Sequence, residues 1–401
     1  MKSSIFTVKR LHMCFALAGL ALWAAQSRAQ SSVTLYGVVD GGLSYVSNSG
    51  GHSQIMQSGG NSAGNRWGLR GVEDLGGGLS AIVTLENGFN TTTGAFQQGG
   101  ALFGRQAFVG LSSVSAGTAT FGRQYAASTL AVGPFTSGNS WAASGSLLGT
   151  HPGDIDNFDS SNRLNNSVKY FSPSILGLHL SGDYSFGGVS GAPSQKQIYS
   201  LGLTYAYSGF QFAAGYLNSR QPNFSFWGGV PSSSTTANNI TSPVFAGYST
   251  AHTQQIAGVA ASYTIGGATL ALVYSNIGFL GLGSTAVTGL NAAESQYRGN
   301  VHFNDGELNF KWRVVPALQL GVAFNYLESP GAGLGSVAYR SVNLGADYAL
   351  SKSTSLYSVA VYQHASGVDS TGKRAVAAIT ALTPSSSADQ LVVTAGIRHV
   401  F

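Results

Sequence analysis

Charged side chains that could do chemistry are few in this chain, because only 9% of its 401 residues are Asp, Glu, Lys or Arg. Arg66 and Arg70 alternate with Trp67 and Leu69, so in an extended segment both arginines lie on the face opposite those apolar residues. The same alternation places Arg163 on the polar face of its own segment. A guanidinium stays charged and attracts anions without reacting with them, so this spacing predicts electrostatic selection of ions.

Three acidic residues, Asp154, Asp156 and Asp159, cluster in a Gly/Ser/Asn-rich segment. They could oppose the arginines and set up a transverse field, or they could cap a turn or bind a stray cation. Acid pairs for glycoside hydrolysis could be assembled here, but any acidic loop offers such pairs. Glu86 and Asp40 fall on the polar faces of their segments and are further candidates.

Sequence signatures of enzymes are missing. The chain has no HExxH, no Walker loop and no GxSxG in a strand–turn–helix context, and its eight histidines lack ligand spacing. We therefore predict no enzyme activity, no cofactor and no metal site. Basic residues are dispersed and do not form patches with aromatic residues, so no nucleic-acid partner is expected.

The N-terminal segment has the features of a secretory signal peptide. Lys2, Lys9 and Arg10 precede an apolar stretch, and the small residues at Ser27 and Ala29 predict cleavage after Ala29. The predicted organisation is a signal peptide over residues 1–29 and one domain over residues 30–401. Removal of residues 1–29 leaves 16 basic against 15 acidic side chains and no cysteine, which excludes disulfides and thiolate sites from the exported chain.

The elements that would hold the arginines are strands. Residues Leu178–Phe186 show apolar and polar side chains in strict alternation, and several other segments of about ten residues do the same. Half-apolar segments of this length are typical of transmembrane β-strands, which must close into a barrel because lipid cannot satisfy an open sheet edge. A soluble β-sandwich would also alternate.

Connection lengths favour the barrel. We predict sixteen strands, and they begin near residues 33, 65, 78, 103, 118, 163, 177, 199, 209, 253, 268, 306, 317, 339, 353 and 390. Short turns alternate with long loops, and the long loops span roughly residues 47–64, 90–102, 126–162, 187–198, 218–252, 276–305, 328–338 and 364–389. This alternation is typical of an antiparallel, even-stranded outer-membrane barrel with short periplasmic turns and long extracellular loops.

Several motifs resemble a known family. They are Ser32-Val33-Thr34-Leu35-Tyr36-Gly37, Asn65-Arg66-Trp67-Gly68-Leu69-Arg70-Gly71-Val72-Glu73-Asp74-Leu75-Gly76-Gly77-Gly78-Leu79, Gly104-Arg105-Gln106-Ala107-Phe108-Val109-Gly110-Leu111, Phe121-Gly122-Arg123-Gln124-Tyr125, Asn165-Asn166-Ser167-Val168-Lys169-Tyr170 and Gly396-Ile397-Arg398-His399-Val400-Phe401. Together they resemble Gram-negative general porins, particularly those of betaproteobacteria, along the whole chain after residue 29.

The resemblance implies a homotrimer of sixteen-stranded transmembrane barrels, each with its third loop folded into the pore. It implies that Arg105 and Arg123 join Arg66, Arg70 and Arg163 in a basic ladder at the constriction, facing Asp154, Asp156 and Asp159 on the third loop. Gly133-Pro134-Phe135 is similar to the bend at the family's loop tip but lacks the usual acidic neighbour. The implied partners are outer-membrane lipid, lipopolysaccharide and the outer-membrane assembly machinery, for which Phe401 is the expected signal.

The leading functional hypothesis is an outer-membrane channel for passive diffusion of small hydrophilic solutes and ions, with a modest preference for anions. A channel of the same fold that selects anionic nutrients is the main alternative, because a basic constriction serves both. A surface adhesin or structural β-protein without a pore is less consistent with the alternation of loops and turns.

Overall fold

The computed structural model describes residues 31–333 and 335–401, and the predicted signal peptide, residues 1–29, lies outside them. In the described part of the chain, seventeen strands form one antiparallel sheet. The strands are β1 (Ser32–Ser49), β2 (His52–Gly59), β3 (Arg66–Gly76), β4 (Leu79–Gly88), β5 (Gln106–Ser113), β6 (Gly117–Gln124), β7 (Leu164–Phe171), β8 (Leu178–Ser185), β9 (Ile198–Tyr207), β10 (Phe210–Arg220), β11 (Thr253–Ile265), β12 (Ala268–Leu282), β13 (Gly299–Val315), β14 (Leu318–Ser329), β15 (Val337–Ala349), β16 (Thr354–Gly367) and β17 (Asp389–Val400).

The sheet closes on itself because β1 pairs with β17, in a register that places Val38 opposite Val400. On its other edge β1 pairs first with β3 and then with β2, so β2 and β3 share one position around the barrel. The barrel therefore has sixteen strand positions, and the predicted sixteen-stranded antiparallel fold is confirmed.

Two predicted loops differ from the structure. Strand β2 lies inside the expected loop 47–64, where the alternation of residue types is weak and Gly50-Gly51 makes the turn. Strand β13 begins at Gly299, seven residues before the predicted start at 306. Both errors shorten a loop. Strand β2 is mostly polar, whereas β13 begins with Val301 and Phe303 in alternation with polar residues inside the predicted loop.

Alternate residues of each strand face opposite sides of the barrel wall. On β12, Leu270, Leu272 and Tyr274 are exposed, whereas Ala271 and Val273 between them are buried. An apolar surface that surrounds a closed sheet is suited to contact with lipid. In the described residues, no helix is long and apolar enough to cross a membrane.

The connection between β6 and β7, residues 125–163, is here called the third loop, and it folds against the buried face of the wall. It contains α1 (Ala127–Val132) and α2 (Ser137–Ser140), and short 3₁₀ turns at Gly133–Phe135 and Pro152–Asp154. The fifth loop, residues 221–252, contains α3 (Pro222–Ser225) and a 3₁₀ turn at Ala246–Tyr248. Further 3₁₀ turns lie at Gln98–Gly100 and Glu294–Gln296.

Glycines in the wall provide the space for the third loop. Gly202, Gly215 and Gly258 lie directly opposite one another on β9, β10 and β11. A Cβ added at Gly215 would come within 3.0 Å of Ser128, and one at Gly258 would overlap Phe158. Side chains at these three positions would thus push the third loop away from the wall.

The fifth loop packs into the other side of the lumen as an apolar core. Trp227 and Phe245 have ring centroids 4.8 Å apart, and Phe245 stacks on Phe279 of β12 at 5.8 Å. Tyr248 and Phe303 extend the cluster toward β13. The third loop contacts the same core through buried residues such as Phe158. The side of the lumen near β9–β15 is therefore occupied mainly by packed loop and wall residues.

Candidate pore constriction

Arg66 of β3, Glu86 of β4 and Arg105, which directly precedes β5, meet inside the barrel. Arg105 Nε donates a hydrogen bond to Glu86 Oε1 at 2.7 Å, and Arg66 Nε lies 3.9 Å from Glu86 Oε2. The hydroxyl of Tyr36 donates to Glu86 Oε2 at 2.9 Å. One carboxylate thus orients two guanidinium groups, and a positive charge is left over.

Tyr125, at the start of the third loop, connects this cluster to Arg163. Its hydroxyl oxygen accepts hydrogen bonds from Arg105 Nη2 at 2.8 Å and from Arg163 Nη2 at 3.4 Å. The Arg163 guanidinium also lies over the Tyr125 ring, 5.0 Å from its centroid. Burial raises the pKa of Tyr125, but Arg163 and Arg105 outweigh it and lower this pKa below its usual value. The tyrosine therefore spaces two cations along the wall.

These residues line a cavity of about 850 Å³ in the lumen. Arg66, Glu86, Arg105, Tyr125 and Arg163 form its wall side. The third loop lines the facing side with Thr129, Leu130, Pro134, Asn139, Ser144, Gly145, Ser146, Leu147, Asp159, Ser160 and Ser161. Three guanidinium groups and two carboxyl groups thus border the cavity, so its lining carries an excess of positive charge.

Two arginines that were predicted for the constriction lie outside this cavity as the described residues define it. Arg70, four residues beyond Arg66 on the same face of β3, lies over the Tyr36 ring at 4.8 Å. Arg123 donates hydrogen bonds to the carbonyl oxygens of Gly104 at 2.8 Å and Gly229 at 2.9 Å, and so ties β6 to the fifth loop.

The third-loop aspartates differ from the expected row facing the arginines. Asp154 is fully buried and accepts hydrogen bonds from the backbone N–H of Asp159 and from the N–H and hydroxyl of Ser161. Asp156 is also buried and accepts a hydrogen bond from Ser275 of β12 at 2.7 Å. Within the described chain, only Asp159 of the three lines the cavity. Asp154 and Asp156 hold the loop, because a loop that folds inside a barrel buries side chains that an extracellular turn would expose.

A buried histidine joins the third loop to β13. His151 Nδ1 lies 2.7 Å from Asp156 Oδ2 and 3.4 Å from Asp305 Oδ1, and His151 Nε2 lies 3.6 Å from Glu307 Oε2. Burial alone would lower the pKa of His151, but Asp305 and Asp156 raise it well above its usual value, so the imidazole is a cation at neutral pH. Burial and Asp156 together raise the pKa of Asp154 to about 7.

Hydrogen bonds and packing hold the loop near its tip. The Ser137 backbone N–H and hydroxyl each donate to the Glu307 carboxylate at 2.7 Å. Trp141 covers Gly321 of β14 and Gly345 of β15, where an added Cβ would lie 2.5–2.7 Å from the indole. These contacts hold the middle of the third loop against β13, β14 and β15.

Asp40, a further candidate from the sequence, organises the break between β2 and β3. It accepts hydrogen bonds from the backbone N–H groups of Asn61, Ser62 and Ala63 at 2.9–3.1 Å and from the Tyr357 hydroxyl at 2.6 Å. Residues 60–65 are thereby held inside the barrel directly before Arg66. The sequence patterns did not indicate Tyr125 or His151 as site residues. Tyr125 ends the Phe121-Gly122-Arg123-Gln124-Tyr125 motif, which was the available signal for it.

Curated relatives match about half of this chain. An outer membrane porin protein of Bordetella pertussis is 39% identical over 188 residues, which cover 43% of this chain and 47% of that protein. Outer membrane porin protein 32 of Delftia acidovorans is 34% identical over 42% of this chain and 49% of its own length. The major outer membrane protein P.IB of Neisseria gonorrhoeae is 30% identical over 48% of this chain and 54% of its own length. The chain thus spans about half the length of the curated relatives it matches.

Solved structures match nearly the whole fold. An anion-selective porin from Comamonas acidovorans superposes with a TM-score of 0.69 at 20% identity, over 93% of this chain and 100% of that one. The outer-membrane-expressed OmpT of Vibrio cholerae gives a TM-score of 0.60 at 15% identity, over 94% of this chain and 99% of that one. A family model described as Gram-negative porin matches residues 16–368, and the chain therefore belongs to the Gram-negative porin family.

Proposed function

We propose that the protein is a water-filled channel for passive diffusion of small hydrophilic solutes and ions, with a modest preference for anions. Membership of the Gram-negative porin family and the closed barrel place it in the cell outer membrane. The observation that carries the anion preference is the excess of arginine over carboxylate in the cavity lining. In a narrow pore such charges act at short range, where salt screens them incompletely.

The name of one matched structure is consistent with the same proposal. The matched structure from Comamonas acidovorans is named an anion-selective porin. In this chain Arg66, Arg105 and Arg163 would supply the anion preference, Arg70 and Arg123 would extend the basic wall, and Asp159 would oppose it. Buried Asp154 and Asp156 would act indirectly by holding the third loop. Diffusion through such a channel requires no catalysis.

Reversal potentials across a salt gradient in planar bilayers test the proposal. We expect anion preference in the wild type and a weaker preference in Arg66→Ala and Arg105→Ala. Arg340→Ala removes an exposed guanidinium that lies over Tyr326 at 5.3 Å, on the outer face of β15, and serves as the charge-matched control. Cation preference in the wild type, or no shift in either lumen variant, would overturn the assignment.

Export and assembly belong to the same proposal. We expect a signal peptide that is cleaved after Ala29 and recognition of Phe401 by the assembly machinery. We also expect that the barrel forms a homotrimer in contact with lipid and lipopolysaccharide. The Phe401 backbone pairs with Gly37 across the β1–β17 seam at 3.0–3.1 Å. N-terminal sequencing and chemical crosslinking of the membrane-extracted protein test the cleavage site and the homotrimer. Membrane levels of Phe401→Ala test the recognition of Phe401.

A further inference from the structure

A second cavity lies between three loops at the end of the barrel where the long loops are. It has a volume of about 320 Å³ and is formed by the third loop, the fifth loop and the eighth loop, residues 368–388. Its apolar lining residues are Trp227, Ile240, Pro243, Phe245, Ile379, Leu382 and Pro384. Its polar lining residues are Ser161, Asn239, Thr241, Ser242 and Thr380, and among the described residues no charged side chain lines it. We call this cavity the side cleft.

The side cleft adjoins the arginine-lined cavity. Ser161 and Ala381 line both spaces. Arg163 Nη1 donates to the Ser161 carbonyl oxygen at 3.0 Å, so the guanidinium lies one hydrogen bond from the shared boundary. Arg163 is 6% exposed, and its Nε has no hydrogen-bond partner among the described residues. A partly apolar cleft and the Arg163 guanidinium, which lines the arginine-lined cavity, therefore lie on either side of Ser161.

We propose that the side cleft and Arg163 together bind aromatic monocarboxylates as these solutes enter the pore. The aromatic ring occupies the side cleft and the carboxylate faces the guanidinium. A volume of 320 Å³ suits a single ring, because it lies at the lower end of the ~300–1,000 Å³ usual for small-ligand sites. Inorganic anions lack the ring and neutral aromatics lack the charge, so each would use only half of the site. This inference rests on the proposed function and names a solute class for the same channel.

Titration of the chloride current in planar bilayers tests the proposal, with benzoate, acetate and benzyl alcohol as probes. Burying on the order of 50 Å² of apolar ring surface predicts saturable block by benzoate at a concentration about tenfold lower than that of acetate. Benzyl alcohol should leave the current unchanged at the half-blocking concentration of benzoate. Equal block by benzoate and acetate would overturn the proposal.

Two variants of the fifth loop locate the effect. Thr241 is exposed and lines the side cleft, so Thr241→Trp fills the cleft and should bring the benzoate block to the level of acetate. Thr235 is exposed on the same loop outside the cleft lining, and Thr235→Trp should retain the wild-type benzoate block. Unchanged benzoate block in Thr241→Trp would overturn the cleft assignment.

The failure of this proposal and that of the proposed function give different results. Neither tryptophan variant should alter the reversal potential in potassium chloride, because both leave the arginines in place. A wild type that prefers chloride but is blocked equally by benzoate and acetate retains the channel function and loses the aromatic site. A wild type without anion preference loses the proposed selectivity itself.

Discussion

The two sides of the lumen are lined by different kinds of side chain. Near β3–β7, polar and charged side chains border the open cavity of about 850 Å³, which we call the open side. Near β9–β15, the fifth loop and wall residues such as Phe279 and Phe303 pack into a buried apolar core, which we call the filled side. The third loop runs between them, with Phe158 in the core and Asn139 at the cavity.

Inward-facing residues have different roles on the two sides of the lumen. On the open side, hydrogen bonds hold charges in place and leave water-accessible space, so substitutions should change ion selection more than stability. On the filled side, packing stabilises the loops and excludes water, so substitutions should change stability more than ion selection. The third loop depends on the filled side for its position, and through it the filled side sets the width of the open one.

The largest effect is expected on the filled side. Phe279 is fully buried among Phe245, Tyr248 and Phe303, and Phe279→Ala should lower the free energy of unfolding by about 3–5 kcal/mol. Denaturant unfolding in detergent measures the loss, and exposed Leu272→Ala is the control. A change in reversal potential as large as that of Arg66→Ala would show that packing on the filled side governs ion selection as strongly as the arginines do.

The next effect concerns the buried charges that anchor the third loop. His151→Gln leaves Asp156, Asp305 and Glu307 without their cation and should cost about 3 kcal/mol at neutral pH. Because the pKa of His151 is raised, the stabilisation from its charge is fully present below the ordinary histidine pKa while the facing carboxylates stay ionised, and it is lost as pH rises through the raised value.

The cost of His151→Gln should therefore shrink in alkaline solution. It should also shrink in acid, where the carboxylates take up protons. Unfolding at about pH 5, 7 and 10 checks both directions, and His302→Gln, at an exposed site, is the control. A cost that is the same at every pH would mean that His151 acts by packing alone.

A smaller effect is expected where hydrogen bonds order the open side. Tyr125→Phe removes the oxygen that accepts from Arg105 and Arg163, and should cost about 1 kcal/mol of unfolding free energy. It should also broaden the distribution of single-channel conductance, because the two guanidinium groups lose their common partner. Tyr45→Phe, on the exposed outer face, should do neither.

The smallest free-energy change should still be visible in selectivity. Glu86→Gln removes a negative charge from the cavity lining, and a unit charge about 6 Å from an ion in water contributes about 0.7 kcal/mol per ion. Anion permeability should rise and cation permeability should fall by about threefold each, so the anion-to-cation permeability ratio should rise about tenfold. We expect the ratio to rise in Glu86→Gln and to stay constant in Glu73→Gln, at the exposed end of β3. A lower ratio would mean that Glu86 matters chiefly by orienting the arginines.

Strand positions could be predicted from the sequence because a side chain on a barrel strand faces either the outer surface or the lumen. Alternation therefore located β12 at its true start, Ala268, and assigned Arg66 to the inner face. The burial of loop residues could not be predicted in this way, because a loop folded inside the barrel buries polar side chains that an exposed loop would leave in water. Asp154 and Asp156 are buried for this reason, although their sequence context is typical of an exposed turn.

The filled side left a partial signal in the sequence. Phe224, Phe226, Trp227, Phe245 and Tyr248 make the fifth loop richer in aromatic residues than an extracellular loop needs to be. The cluster around His151 left none, because Asp305 and Glu307 lie more than 150 residues away along the chain and only closure of the barrel brings them together.

The row of glycines on β9, β10 and β11 means that substitutions in the barrel wall can change the width of the pore. Because Gly202, Gly215 and Gly258 determine how deeply the third loop sits, wall residues that lie behind this loop can set the size limit for solutes. A graded series at Gly215, from Ala to Val, would narrow the passage without changing a single charge. Molecular sieving and ion preference could then be varied independently in one barrel.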